Sequence, residues 1–375
     1  MRPRITLIDA SPDALHAFFE RWEASPSAGL LVLVPEQARA LIAPLQSACR
    51  AHDIRLVGAM FPVLIHAHAL IADRLIAIRL DPMPPAFVTP LPDDPVLAAE
   101  TIAHHAAAHR PAEGAEQSLL LIFDAMLPKI SSTMAALYKR QHGYVHYVGA
   151  NAGSETFSPM PCLFDETQCI ERGVLGLRFE QTQVDLAHGY PVAKTLMRAV
   201  STDGNRILSI DGRPAMTVYR EVILADFGVQ LTPENFYDYA VHYPFGVIMA
   251  SDVLVRIPVG FDDAGNIVCV GEIPPNSLLR LIQAPDPTQH AAAAGLGQRL
   301  RQHAQPDSLN LLFYCAGRRM HMGAHTEQEL STLAEHSGQT LLGALSLGEI
   351  APLPGIGMPE FHNAAMLCIG IRPQG

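Results

Sequence analysis

Ser346, Glu349 and His362 are the residues near the C-terminus whose types suit covalent chemistry. A serine nucleophile needs a base to take its proton, and the base needs a group to orient it. Ala344-Leu345-Ser346-Leu347-Gly348 is a degraded version of the nucleophile elbow, with alanine at its first small position. An elbow runs directly into a helix, whereas Gly348-Glu349-Ile350-Ala351-Pro352 reads as loop. A hydrolase or lyase using these three residues is therefore an alternative, and ligand binding is the leading reading. Its candidate site is Arg318, Gly348, Glu349, Phe361, His362 and Asn363. Gly348 would let the backbone approach a ligand closely, and Glu349 and Arg318 would hold opposite ends of a zwitterion. The competing expectation is that Arg318 and Glu349 pair with each other across the loop.

Metal and phosphate chemistry find less support. The Walker pattern and HExxH are both absent. Gly295-Leu296-Gly297 has no strand before it and no third glycine, so it reads as part of a helix rather than a dinucleotide fingerprint. His105 and His109 are four apart on an Ala-rich helical stretch and share a face, but no third ligand is evident. The six cysteines show no CxxC spacing, so neither a disulfide framework nor a four-cysteine zinc site is expected. A metal is not expected.

The elements that must position the candidate residues come from apolar periodicity. Ser11-Pro12 is a helix start, and Leu15, Phe18, Phe19 and Trp22 follow at helical spacing. Gly29 to Val34 is a continuous apolar run of strand length, the pattern of a strand covered on both faces. Pro35 to Ala51 is helical, with a kink expected at Pro44, and Ile54 to Val57 is a second strand. The same order recurs at Leu119–Phe123, Ser131–Lys139 and Tyr144–Val148, and again at Leu309–Tyr314, Thr326–His336 and Thr340–Leu342. Each copy closes alike, on Val57-Gly58-Ala59, Val148-Gly149-Ala150 and Leu342-Gly343-Ala344. One strand–helix–strand unit used three times implies parallel pairing within each unit, with the glycines at equivalent strand ends. Asp81 to Asp94 is proline-rich and reads as connector, and Leu175 to Ile273 carries hairpin signals such as Asp203-Gly204 and Asp211-Gly212. The expected fold is mixed α/β, two domains, with repeated strand–helix–strand units around an antiparallel, hairpin-rich central section.

Composition narrows the function class. The chain has 375 residues, 49% hydrophobic and 17% charged, enough to bury a large core without metal or disulfides. A formal net charge of −11, with no basic run, argues against nucleic acid as a partner. No apolar run reaches the ~18–20 residues needed to cross a bilayer. The basic start Met1-Arg2-Pro3-Arg4 is interrupted too soon by Asp9 to be a secretory signal. The expectation is a reduced, cytoplasmic protein without membrane insertion.

Several segments together resemble the FIST family of bacterial sensory proteins, built from an N-terminal and a C-terminal FIST domain. The C-terminal likeness rests on Leu312-Phe313-Tyr314-Cys315-Ala316-Gly317-Arg318, on Gly348-Glu349-Ile350 and on His362-Asn363. Tyr243-Pro244-Phe245-Gly246, Asp252 to Arg256, Ile210 to Ala215 with Tyr219, and Gly149 to Ser154 add to it. The chain departs from the family at Gly58-Ala59-Met60-Phe61-Pro62-Val63-Leu64, which lacks the usual cysteine, hydroxyls and acid, and at Ala364-Ala365. Both changes imply a more apolar pocket. The resemblance implies an N-terminal helical lead-in over 1–27, a FIST N-terminal-like domain over 28–215 and a FIST C-terminal-like domain over 216–375. It also implies a non-enzymatic sensor of a small, amino acid-like ligand, with output through a separate partner such as a histidine kinase or cyclase. Haem-based nitric-oxide sensing is the family's second theme, so haem is a possible cofactor.

Overall fold

The structure is a computed structural model that describes residues 3–107, 117–141, 145–190, 196–249, 252–305, 308–353 and 357–372. His109, the partner expected for His105, lies outside the described residues.

The first repeat runs β1 (Arg4–Asp9), α1 (Pro12–Glu20), β2 (Gly29–Pro35), α2 (Ile42–Ala51), β3 (Arg55–Phe61), the hairpin strands β4 (Leu64–His66) and β5 (Ala69–Ile71), and β6 (Arg74–Leu80). The second runs β7 (Ala86–Pro90), α3 (Pro95–Ala107), β8 (Gln117–Asp124), α4 (Ile130–Gln141), β9 (Val145–Ala152), the hairpin β10 (Leu163–Asp165) and β11 (Cys169–Ile170), and β12 (Gly173–Phe179). After β13 (Thr182–Ala187) the chain leaves to build a separate lobe. The lobe holds β14 (Leu196–Asp203), β15 (Arg206–Ile210), β16 (Arg213–Pro214), α5 (Ala215–Phe227), α6 (Phe236–Ala240), β17 (Phe245–Met249), β18 (Asp252–Arg256), β19 (Pro258–Phe261), β20 (Ile267–Cys269) and β21 (Leu278–Leu281). The third repeat then completes itself with α7 (Ala291–His303), β22 (Leu309–Cys315), α8 (Ala316–Met322), α9 (Thr326–Ser337), β23 (Leu342–Ser346), the hairpin β24 (Glu349–Pro352) and β25 (Pro359–His362), and β26 (Met366–Ile371).

Three six-stranded sheets result, ordered β1-β6-β2-β3-β10-β11, β7-β12-β8-β9-β24-β25 and β13-β26-β22-β23-β4-β5. In each, the two inner strands β2/β3, β8/β9 and β22/β23 are parallel. The last two strands of every sheet come from another repeat. The first repeat's hairpin completes the third sheet, the third's completes the second, and the second's completes the first. The same backbone bond closes each step: Met60 N–H donates to Cys162 O at 2.8 Å, Asn151 N–H to Gly348 O at 2.9 Å, and Leu345 N–H to Val63 O at 2.9 Å. This is a cyclic, pseudo-threefold exchange, and it makes the repeats mutually dependent for sheet pairing.

The glycines of the repeat occupy matching registers, Gly58 opposite Val32, Gly149 opposite Leu121 and Gly343 opposite Leu312. They are not strand ends, because each strand runs on through Met60-Phe61, Asn151-Ala152 or Leu345-Ser346. The reason for glycine is close approach: a Cβ at Gly149 or Gly343 would lie 1.8 Å from the carbonyl oxygen of Leu121 or Leu312. Apolar residues of β3, β9 and β23, such as Ala59, Phe61, Ala150 and Ala344, belong to one core with those of β2, β8 and β22. The lobe has its own core around Ile207, Tyr219, Phe236, Phe245 and Leu279.

Local differences from the sequence reading have simple causes. The residues before α2 form a 3-10 turn, Glu36–Leu41, so Pro44 falls in the first turn of α2, where its missing N–H costs no bond. The proline-rich connector contains β7, an edge strand, the position in a sheet that tolerates proline. The lead-in opens with a strand, β1, paired antiparallel with β6. Gly297 lies inside α7, where a Cβ would meet the Leu333 carbonyl of α9 at 2.8 Å, so the glycine pattern there serves helix packing.

Candidate functional site

The carboxyl ends of β8, β9, β22 and β23 face strands of the lobe across a cleft, and the cleft has two compartments. One, of about 380 Å³, is lined by Cys315, Ala316, Gly317, Arg319, Met320, Leu347, Asn363, Glu155, Phe157, Tyr237, Ile257, Val259 and Val270. The other, of about 540 Å³, lies among Lys129, Ser131, Asn151, Asp203, Arg206, Cys269, Glu272, Phe361 and their neighbours. Phe157, Val259, Val270 and Leu347 line both, so the two are contiguous. Both volumes fall within the ~300–1,000 Å³ of small-molecule pockets.

The candidate residues divide between cleft wall and support. Asn363 and Phe361 reach the wall, one in each compartment. Asn363 is fully engaged, its Oδ1 accepting from Ile257 N–H at 3.5 Å and its Nδ2 donating to the His362 carbonyl at 3.1 Å. Gly348 has φ +133°, and a Cβ there would lie 2.2 Å from the Phe361 ring, so its role is close packing under the wall. Arg256, itself buried, ties the lobe to this wall by donating to the carbonyls of Glu272 at 2.9 Å and Phe361 at 2.8 Å.

Arg318 is a correction to the sequence reading. It neither faces the cleft nor pairs with Glu349. Its guanidinium forms a two-point pair with Glu329, Nε to Oε2 at 2.8 Å and Nη2 to Oε1 at 2.6 Å, with both side chains 1% exposed. Nη1 donates to the carbonyls of His188 and Ala364, and the Tyr314 hydroxyl donates to Glu329 at 2.6 Å. Burial opposes both charges, but the mutual hydrogen bonds outweigh it and hold Glu329 below the usual carboxylate range. The residue beside it, Arg319, is the one on the cleft wall, joined to Glu155 at 2.8 Å across the cleft mouth.

Glu349 is likewise withdrawn from the cleft as a ligand pole. It is 0% exposed and accepts from Ser346 Oγ at 2.6 Å. Burial dominates its ionisation; contacts with Ser346, Cys315 and the Ala365 amide favour the carboxylate but leave its pKa pushed up to about 8. His362 Nε2 donates to the Ala351 carbonyl at 3.0 Å. Ser346, Glu349 and His362 therefore form no relay opening on the cleft: all three are buried, serine and glutamate bond each other in the interior, and His362 Nε2 donates to backbone.

Haem would need an axial donor at the cleft. Among the described residues no histidine lines either compartment, burial keeps the Cys315 thiol neutral by raising its pKa, and the Tyr237 hydroxyl and Met320 sulfur on the wall are taken up by a hydrogen bond to each other at 3.3 Å. The cleft as built does not fit haem.

A second histidine feature joins lobe to core beside the cleft. His242 Nδ1 and His321 Nδ1 are 2.7 Å apart, and His321 Nε2 donates to the Pro285 carbonyl at 2.6 Å. That tautomer leaves His321 Nδ1 as acceptor and His242 as donor, an arrangement that requires a neutral His321. Burial lowers both pKa values; Asp238 opposes this at His242, and at His321 Arg318 adds to it while Glu329 opposes. Groups lowered from 6.5 on folding hold fewer protons in the folded state just below that pH. Stability is thus complete above about pH 6.5 and falls as the pH drops through the folded values. In urea melts from pH 7.5 to 5, the parent should lose stability relative to His321→Gln as the pH drops below about 6.5; curves that stay parallel there would remove the pair as a source of pH dependence.

Sequence reasoning missed Asn151, Lys129, Arg319 and the lobe's Ile257, Val259 and Val270. Asn151 carried a usable signal. Met60, Asn151 and Leu345 stand two residues after the repeat glycine, and only Asn151 is polar.

Comparison with known proteins fits this arrangement. The FIST N domain model matches residues 29–213 and the FIST C domain model matches residues 215–352. The chain belongs to the FIST family. FIST domains are associated with sensing in signal transduction. No curated protein matches the chain. The FIST N match takes in the parallel cores of the first two repeats, and the FIST C match takes in most of the lobe and β22–β23. Because the hairpins are exchanged, sheets of this FIST protein combine strands from both matches. Among the described residues no helix is long and apolar enough to cross a membrane.

Proposed function

We propose that this FIST protein is a non-enzymatic small-ligand sensor that holds its ligand in the cleft between the threefold core and the lobe. The observation that supports this most directly is the pair of contiguous compartments at the carboxyl ends of two parallel strand pairs, where open α/β sheets collect ligands. The interior placement of Ser346 and Glu349 favours binding over hydrolysis. Phe361 and Asn363 are the sequence-derived candidates that contribute directly, and Gly348, Glu349 and His362 act from behind the wall. Ligand contacts to both lobe and core would bias their relative arrangement, which a separate cytoplasmic partner, such as a histidine kinase or cyclase, would read.

Native mass spectrometry of the purified chain, alongside thermal shift against a small-molecule panel, tests the reading. A retained or stabilising molecule should be lost in Leu347→Trp, whose indole would fill the junction of the compartments, while circular dichroism stays that of the parent. Binding unaffected by Leu347→Trp places the ligand elsewhere and overturns the cleft reading.

A further inference from the structure

The two compartments differ in chemistry, and the difference restricts what can fill them together. The smaller one is walled by Tyr237, Ile257, Val259, Met320 and Leu347, with the neutral Cys315 thiol among them. Its amide, Asn363, already has both polar ends bonded. Its charged residues, Arg319 and Glu155, are paired with each other at 2.8 Å at the mouth, so the interior of this compartment offers a ligand mainly dispersion and burial. The larger compartment is polar and incompletely satisfied. Asn151 is 2% exposed and its Oδ1 has no hydrogen-bond partner; the Ser131 hydroxyl, also on this wall, is buried without one. A buried acceptor left unpaired is destabilising, so an N–H arriving at Asn151 would relieve a standing penalty. Two acids stand on this wall: Glu272 is already occupied by the Ser132 amide at 2.9 Å and hydroxyl at 2.6 Å, and Asp203 is exposed at the rim, opposite Arg206 in the β14–β15 register. Lys129, with φ +58°, stands on the same wall. The amide acceptor and the cation therefore favour a head with a neutral N–H and a negative charge. A free ammonium would meet Lys129 and Arg206, with Glu272 already committed and Asp203 out at the rim beside Arg206.

We propose that the cleft binds an elongated amide with an apolar tail and an acidic head, of the N-acyl amino acid class. The tail lies against Cys315 and Ile257, the amide N–H donates to Asn151 Oδ1, and the carboxylate faces Lys129. This rests on the cleft being the sensor site and narrows its ligand.

The test uses the full chain and four probes: N-octanoylglycine, octanoate, glycine and leucine. Isothermal titration should give N-octanoylglycine at least about a tenfold lower Kd than any other probe. Asn151→Leu should weaken it by about tenfold, the worth of one good hydrogen bond, and leave octanoate unchanged. Lys129→Ala, on an exposed turn where folding is not at stake, should weaken it by a similar factor. Leucine or glycine binding as tightly as N-octanoylglycine, or N-octanoylglycine indifferent to both substitutions, overturns the amide assignment. If native mass spectrometry still shows a retained molecule that Leu347→Trp expels, the cleft reading survives that result. If nothing is retained and no probe binds, both fall together.

Discussion

Replacing Arg318 by methionine should lower the unfolding free energy by about 3–5 kcal/mol, the cost of stranding one member of a buried ion pair. The stranded group is Glu329, 1% exposed, which among the described residues would keep the Tyr314 hydroxyl as its one side-chain donor. The carbonyls of His188 and Ala364 would lose a donor as well, and with it the link from α8 to the segment after β13 and the segment before β26. Arg319→Met is the internal control. Its pair with Glu155 is about a third exposed on each side, and a pair so screened contributes ~0–1 kcal/mol. Adding Glu329→Leu to Arg318→Met should recover much of the loss, since an apolar replacement removes the uncompensated charge. Urea denaturation of the four proteins measures this. An Arg318→Met variant no less stable than Arg319→Met would show that the buried pair is not what holds α8.

The contrast between Arg318 and Arg319 shows where the sequence stops being legible. Two adjacent arginines open a short helix after β22, and only three-dimensional packing sends one inward to Glu329 and the other to the cleft. The repeat was readable because parallel strands covered on both faces are continuous apolar runs, and because Gly149 and Gly343 have no room for a side chain. The exchange of hairpins between repeats was not readable. Leu64–His66 and Ala69–Ile71 carry an ordinary hairpin pattern, and nothing local states that their partner is Leu342–Ala344, far along the chain. The site divides in the same way. Asn363 and Phe361 were found because polar and aromatic residues after a strand mark a wall, whereas Ile257, Val259 and Val270 belong to a lobe whose docking no short-range pattern records. Glu349 was legible as a special residue but not as an interior one, since type and spacing do not report burial.

The burial of Glu349 sets the second large effect, a pH slope opposite in sign to that of the histidine pair. Its carboxyl is raised from 4.5 to about 8 on folding, chiefly by loss of water. Between those values the folded chain holds a proton that the unfolded chain has released. Stability therefore falls as the pH rises from about 4.5 toward 8, by up to about 1.4 kcal/mol per pH unit, and levels off once the folded form has ionised too. Glu349→Gln cannot ionise, so its melts should lack this slope, and the gap in its favour should widen with pH. The slope is the better readout than the absolute stability, because glutamine keeps an acceptor for the Ser346 hydroxyl but presents an amide toward Cys315 and Ala365. The histidine pair loses stability only below about pH 6.5, so the window from 6.5 to 8 isolates Glu349. Parallel curves for the parent and Glu349→Gln across that window would mean the carboxylate is already ionised in the folded protein. The Ser346–Glu349 contact would then be a charged hydrogen bond, and Cys315, on the cleft wall, would sit beside a buried anion rather than a neutral acid.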